Sequence, residues 1–276
     1  LLSHTNNYLL LKCSMFNARL SQGQLNLLNT CPRKFQHTYF DGFNFPLSPQ
    51  QQDKVTWGNR FHTLMQQREL GLPIEALFTE DEQIHRSIQA LVEAAPEVFS
   101  LNSQVWREAE HYRTLDFRGY LLTVIYDLLI AKEDQGKILD WKTYLQPENR
   151  ELLAKNWQTR LYLYLLVETS SYLPEQVSLT YWFVKLPKEP QSLTFKYSQA
   201  QHERTEQDLI TLLTQLDIWS NNYLTKEIPF PQVPESKGEC QYCHFATRCH
   251  RTPEAKPSLS KEDWLTSIEE IEEVSL

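Results

Sequence analysis

The sequence has no apolar stretch fit to cross a bilayer: its longest runs, Tyr120 to Ile130 and Leu161 to Val167, fall well short of the roughly 20 residues such a span needs. No charged, apolar, small-residue leader opens the chain either, so a cytoplasmic protein with no membrane partner is expected. The chain begins at Leu1, and residues 1–14 carry no steady period, which makes Met15 the expected natural start. Positive charge is also in deficit. Lys and Arg number 27 against 35 Asp and Glu, a formal charge of −8 at pH 7, whereas phosphate binding draws on clustered Lys and Arg. Part of the acidic excess is local, because Glu254, Glu262, Asp263, Glu269, Glu270, Glu272 and Glu273 crowd residues 252–276. Cysteine is scarce, and five thiols without an export leader argue for a metal site or incidental thiols rather than a disulfide framework. Internal repeats and low-complexity tracts are absent. What remains, 276 residues at 41% hydrophobic and 12% aromatic, is enough for one large domain or two small ones with a real core.

The first hundred residues read as helical. Ser21 is a suitable N-cap for a helix carrying Leu25, Leu27 and Leu28, and Cys31-Pro32 restarts it toward Phe35, Tyr39 and Phe40. Further helices are expected from about Val55 to Leu70, stopped by Gly71, and from about Asp81 to Val98. After Ser103 the period shortens. Val105 to Tyr112, Phe117 to Ile130 and Lys137 to Lys142 are β-type runs, divided at Asp116 and at the turn Glu133-Asp134-Gln135-Gly136. An amphipathic helix from about Glu151 to Glu168 follows, then an alternating strand through Val177, Leu179, Tyr181 and Phe183, and a partner strand with Leu193 and Phe195 across the Leu186-Pro187 turn. Ser198 with Gln201 opens a long helix to about Leu224 whose apolar face is Leu209, Leu212, Leu213, Leu216 and Trp219. This is α/β order.

Asp140-Trp141-Lys142 ends the apolar run Ile138-Leu139, and alternation puts Asp140 and Lys142 on one side of a strand with Trp141 on the other. Acid-x-Lys triplets recur at Glu235-Ser236-Lys237 and Glu254-Ala255-Lys256, but only the first sits at a strand end with a second acid, Asp127, on the strand before it. Taken alone, Asp127 also admits the reading of an edge carboxylate with a hydrogen-bond partner. Paired with Asp140, it can hold a hard divalent cation such as Mg²⁺, with the Trp141 carbonyl as a third oxygen. Lys142 would then orient, or help deprotonate, a water attacking a phosphodiester. His62, on the second helix, reads either as a polar face residue or as an extra metal ligand. Gln158 and Tyr162, four apart and so on one helix face, read either as an amphipathic boundary or as contacts to a nucleotide beside the metal.

In this order, Gly58 to His62, Asp127, Asp140-Trp141-Lys142 and Gln158-x-x-x-Tyr162 resemble the nuclease motifs of the RecB-like exonuclease branch of the PD-(D/E)XK superfamily, over roughly Ser21 to Arg251. The resemblance implies a restriction-endonuclease-like α/β core, a mixed β-sheet flanked by helices, that hydrolyses DNA with Mg²⁺ or Mn²⁺ on single strands or duplex ends. By carry-over, His62, Asp127 and Asp140 would be metal ligands and Lys142 the catalytic lysine. A glutamate usually precedes the Asp127 strand in this branch, and Glu108 and Glu110 both suit it. Tyr126 stands where the superfamily's proline would be, and Val124 where relatives often carry glycine.

Cys240-x₂-Cys243-x₅-Cys249 has the spacing of a thiolate metal site, and the fourth ligand must come from elsewhere. Spacing alone leaves structural zinc, with His244 or His250 as a candidate ligand, and an iron-sulfur cluster both open. Cys31 in Cys31-Pro32-Arg33-Lys34-Phe35 resembles the early cysteine of the iron-sulfur subset of RecB-like nucleases, which implies a [4Fe-4S] cluster on Cys31, Cys240, Cys243 and Cys249, with Cys13 spare. The expected organisation is therefore an extension over 1–20, a nuclease domain over 21–251 and an acidic tail over 252–276. Within the domain, a helical part covers about 21–100, the core about 104–226 and a cysteine loop about 235–251. Without a G-x-x-x-x-G-K-[ST] phosphate loop, ATP-driven unwinding would fall to a helicase partner, and CRISPR-associated relatives suggest a CRISPR partner. A catalytically silent DNA-binding or scaffold subunit is the competing expectation; the complete set Asp127, Asp140 and Lys142 speaks for an enzyme.

Overall fold

The computed structural model describes residues 19–74, 81–99, 105–144, 149–185 and 189–251. Cys13, Met15, the Leu186-Pro187 turn and the acidic residues after Arg251 lie outside them. In chain order the main elements are β1 (Arg19–Leu20), α1 (Gln22–Thr30), α2 (Pro32–Phe35), a π-helical turn (Gln36–Phe40), α3 (Pro49–Glu69), α4 (Glu82–Ala94), α5 (Pro96–Phe99), β2 (Trp106–Phe117), β3 (Tyr120–Ala131), β4 (Gly136–Lys142), α6 (Arg150–Lys155), α7 (Trp157–Glu168), β5 (Val177–Phe183), β6 (Gln191–Lys196) and α8 (Gln199–Lys226). The sheet is six-stranded in the order β1-β3-β4-β5-β6, with β2 pairing to β3. It is mixed: β1 with β3 and β4 with β5 run parallel, β3 with β4 and β5 with β6 antiparallel. Among the described residues no helix is long and apolar enough to cross a membrane.

The described residues form two compact units, one from 19–47, 116–122 and 206–251, the other from 48–115 and 123–205. In the second unit the sheet buries both faces. Leu128, Ile130, Leu139, Trp141 and Trp182 pack with Phe61, Leu64 and Met65 of α3, Ile84, Ile88 and Leu91 of α4, and Phe99 of α5. On the other face Tyr181, next to Trp182 and so turned the opposite way, meets α7 through a 2.8 Å hydrogen bond between its hydroxyl and Thr159 Oγ1. This two-sided burial makes α7 apolar almost all round, from Leu161 to Leu166, rather than amphipathic.

Local chemistry sets the ends. Ser21 and Ser48 make full capping boxes with Gln24 and Gln51 at the starts of α1 and α3. Gly71, at φ +71°, turns the chain out of α3 while Leu72 N–H donates back to Gln67 O at 3.0 Å. Four boundaries differ from the sequence reading. α3 starts at Pro49 rather than at about Val55, because Ser48 and Gln51 form its capping box. Pro96 splits the expected 81–98 helix at Ala95, because its ring cannot continue the hydrogen-bond ladder. Asn156 interrupts 151–168 and caps α7 by accepting the Gln158 N–H at 2.8 Å. The strand break falls at Arg118-Gly119, not at Asp116, since these two residues take left-handed φ of 55° and 84° and close a two-residue hairpin loop.

In the first unit, the C-terminal half of α8 is tied by Tyr120 Oη donating to Asp217 at 2.5 Å and Tyr223 Oη donating to Asp41 at 2.6 Å. Phe230 packs against Phe40, Trp219 and Tyr223, and Arg33 Nε donates to its carbonyl at 2.6 Å.

Candidate active site

The paired part of β3 and β4 runs from Ala131↔Gly136 to Leu128↔Leu139. Just past it, the Asp127 carboxylate takes over from the backbone ladder: its Oδ2 accepts the Trp141 N–H at 2.6 Å. Its Oδ1 lies 3.1 Å from His62 Nδ1. His62 reaches it because α3 approaches the end of β4 closely at Gly58, where an added Cβ would come within 3.0 Å of Thr143 Oγ1. One helical turn separates Gly58 from His62.

Glu110 completes this group. One ligand atom each from His62, Glu110 and Asp127 lies within 4.8 Å of the others, and among the described residues no other three His, Cys, Asp or Glu side chains converge so tightly. Glu110 holds φ +52° in the middle of β2, a conformation uncommon for a residue with a side chain and one that breaks the two-residue alternation. Glu108 does not join: its carboxylate is half exposed and lies 2.6 Å from His111 Nδ1. No spacing rule could have chosen between them, because the choice is made by one backbone dihedral.

Beside the group sits a second constellation. Asp140, 1% exposed, forms an ion pair through Oδ1 with Lys142 Nζ at 2.7 Å and accepts the Gln158 Nε2–H on Oδ2 at 2.8 Å. Gln158 Oε1 in turn accepts from Lys142 Nζ at 2.7 Å, and its Nε2 lies 3.3 Å from Tyr162 Oη. One amide therefore ties the lysine and the carboxylate together. Alternation holds as expected: Trp141, between them, points into the opposite core against Phe99. Lys142 Nζ also lies 4.9 Å over the Tyr181 ring, a contact not read from the sequence although the parallel register Asp140↔Tyr181 would signal it. Tyr126, in the place of the superfamily's proline, is fully buried and donates to Tyr162 O at 2.9 Å, and burial pushes its phenol far above the ordinary value. Val124 is buried as well. Of the expected metal ligands, then, His62 and Asp127 converge with Glu110. Asp140 lies outside that group, and Trp141 contributes its N–H to Asp127.

A sequence comparison covers both constellations at once: the family model for the PD-(D/E)XK nuclease superfamily matches residues 19–250. The chain belongs to this superfamily. No curated protein matches it in sequence. Among solved structures it is similar to SSO0001, at 16% identity and TM-score 0.37 over 84% of this chain and 85% of that one. It is also similar to a candidate exonuclease from Eubacterium rectale, at 12% identity and TM-score 0.48 over 90% of this chain and 93% of that one. Members of this superfamily are nucleases, and so hydrolases; the chain has their restriction-endonuclease-like α/β core, and they typically use divalent metals. Two carboxylates and an imidazole suit such an ion.

The nuclease's four described cysteines share one place in the first unit. Cys31, at the break between α1 and α2, lines a single cavity with Cys240, Cys243 and Cys249. Burial raises the Cys243 and Cys249 thiols above their ordinary values, opposed in part by Lys34 and Arg33 respectively. Arg251 Nη1 donates to Cys240 Sγ at 3.4 Å, and His37 Nε2 is 3.9 Å from Cys249 Sγ. His244 and His250, the histidines considered for zinc, are not among the lining residues. A tetrahedral zinc with bonds of about 2.3 Å holds its sulfurs about 3.8 Å apart. No three of these sulfurs lie within 4.8 Å of one another.

Proposed function

We propose that this chain is a metal-dependent deoxyribonuclease of the RecB-like branch that acts as an exonuclease on DNA ends or single strands. The observation that carries this is the meeting of His62, Glu110 and Asp127 beside the Asp140–Lys142–Gln158 triad. A bound Mg²⁺ or Mn²⁺ would supply charge neutralisation at the scissile phosphate and a more acidic water. His62, Glu110 and Asp127 are the residues to hold it, with Asp140 at its margin. Asp140 and Gln158 fix the position of the Lys142 ammonium, which donates to the attacking water or to a phosphoryl oxygen as negative charge builds there. Water oxygen forms the new bond to phosphorus and releases a proton to solvent, while the bond to the leaving sugar oxygen breaks and that oxygen takes up a proton from solvent. The Asp127 carboxylate, anchored on the Trp141 N–H, keeps β3 and β4 at the separation this geometry needs.

The four cysteines are the residues to hold a [4Fe-4S] cluster. Their shared cavity, together with the RecB-like placement of Cys31, supports this reading. The cluster acts as a staple between the early and late parts of the first unit. DNA repair, recombination or CRISPR-related processing is the setting that the RecB-like motif order supports.

The test is cleavage of end-labelled single-stranded and duplex DNA by the anaerobically purified chain with Mg²⁺, with Mn²⁺ and with chelator, beside Asp140→Asn. Metal-dependent shortening by the wild type, absent in Asp140→Asn, is expected. A wild type that cuts nothing with either metal would overturn the proposal and favour a silent DNA-binding subunit.

A further inference from the structure

Near the end of β4 and β5 the second unit brings two lysines and a tryptophan together. Lys142 O accepts the Val184 N–H at 3.0 Å, so Lys185 leaves the sheet next to the strand end that carries Lys142. Its Nζ lies 4.0 Å over the ring of Trp57, the residue before Gly58, and Gly58 is the close neighbour of Thr143 just past Lys142. Lys54 sits one turn before Trp57 on α3. The carboxyl ends of parallel strands are where open α/β sheets take their ligands.

Among the described residues the cluster is poorly compensated. Burial pushes the Lys185 ammonium below its ordinary value and the like charge of Lys54 pushes it further, while Asp81 opposes both. Asp81 has a use of its own, since its Oδ1 accepts the Gln83 and Ile84 N–H groups at the start of α4. Among the described residues neither lysine has an ion-pair partner within 4.0 Å, and the buried Trp57 Nε1–H has no acceptor. Two like charges and an unused donor at the edge of the core, near the strand end that carries Lys142, are costly unless an anion joins them.

We propose that Lys54, Trp57 and Lys185 form an anion site for a phosphate of the DNA strand next to the one cleaved. This rests on the nuclease reading above. The ligand is the backbone phosphate rather than a base, because the Trp57 ring already carries Lys185 and a stacked Phe61 at 5.6 Å and 17°. The site therefore reads strand position and not sequence.

Binding of a fluorescent single-stranded oligonucleotide to the full chain, in chelator so that nothing is cut, tests this across a salt series. Lys54→Gln and Lys185→Gln should each weaken binding by roughly 3- to 10-fold and flatten the slope of log affinity against log salt by about 0.7, the share of one phosphate contact. The double variant should lose less than the product of the two, as both lysines serve one phosphate. Lys185→Arg should keep the slope, and Lys196→Gln, an exposed lysine of β6, serves as control. Melting temperatures of the Gln variants should equal or exceed the wild type's, since a repulsion has been removed. Wild-type affinity and slope in both Gln variants would overturn the site and spare the nuclease. Weaker binding with an equally lower melting temperature would assign the lysines to the fold instead. A wild type that neither binds nor cuts DNA would overturn the nuclease reading itself.

Discussion

Replacing Gln158 by leucine keeps the volume of the side chain and deletes its amide. Two bonds to charged groups go with it, Lys142 Nζ to Oε1 at 2.7 Å and Nε2 to Asp140 Oδ2 at 2.8 Å. Bonds of this kind contribute roughly 1.5–3 kcal/mol each, and the surviving Lys142–Asp140 pair at 2.7 Å limits the damage, so a loss of about 3 kcal/mol is expected. With a urea dependence of about 1–3 kcal/mol per molar, the unfolding midpoint should fall by about 1–3 M. The rate should fall further than stability predicts. A Lys142 ammonium displaced by about 1 Å costs on the order of 100-fold in cleavage under single-turnover conditions. Gln158→Glu separates the two bonds: it keeps an acceptor for Lys142 and sets a second carboxylate against Asp140. Such a pair takes up a proton more readily than either acid alone, so the defect should be largest at neutral pH and ease as pH falls. A Gln158→Leu protein with the wild-type midpoint and the wild-type rate would refute the idea that this amide holds the site together.

Two further outcomes follow from the geometry. Gly58→Ala places a Cβ about 3.0 Å from Thr143 Oγ1, so α3 and His62 must give way by a few tenths of an ångström; a several-fold rise in the Mn²⁺ needed for half-maximal cleavage is expected, with little change in melting because alanine's helix propensity offsets the strain, and an unchanged metal requirement would contradict it. Cys31→Ala should lose iron, sulfide and brown absorbance as completely as Cys243→Ala, and both should melt earlier, since opening a loop of about 200 residues releases about 5 kcal/mol of chain entropy to the unfolded state; full iron content in Cys31→Ala, with Cys13→Ala as control, would refute the clamp.

The parts of the molecule that were legible in the sequence are those governed by local period or by a cap. Asp140-Trp141-Lys142 ends a strand and alternates as expected, and Ser21 caps its helix as expected through a serine-glutamine box, whereas the equivalent box at Ser48 was missed. What was not legible depends on single dihedrals or long-range contacts. Glu110 outranks Glu108 only because its φ is positive, and Arg118-Gly119 turns the hairpin for the same kind of reason. Gln158 read either as an amphipathic boundary or as a contact beside the metal; that its amide bonds Lys142 and Asp140 depends on α7 lying against the end of β4, which no spacing gives. The convergence of Cys31 with the late cysteines is likewise a contact across the whole chain, which spacing can suggest but only packing can deliver.

The central claim is that Asp127 and Glu110, with His62, hold the metal that cleavage needs. The most direct measurement is the single-turnover rate of DNA cleavage against Mn²⁺ concentration for the wild type, Asp127→Asn, Glu110→Gln and Glu108→Gln. The account predicts a saturable metal dependence in the wild type and in Glu108→Gln, whose carboxylate stands apart beside His111, together with a loss of at least about 100-fold in Asp127→Asn and Glu110→Gln. Cleavage by Asp127→Asn at the wild-type rate, or a loss in Glu108→Gln with none in Glu110→Gln, would contradict it.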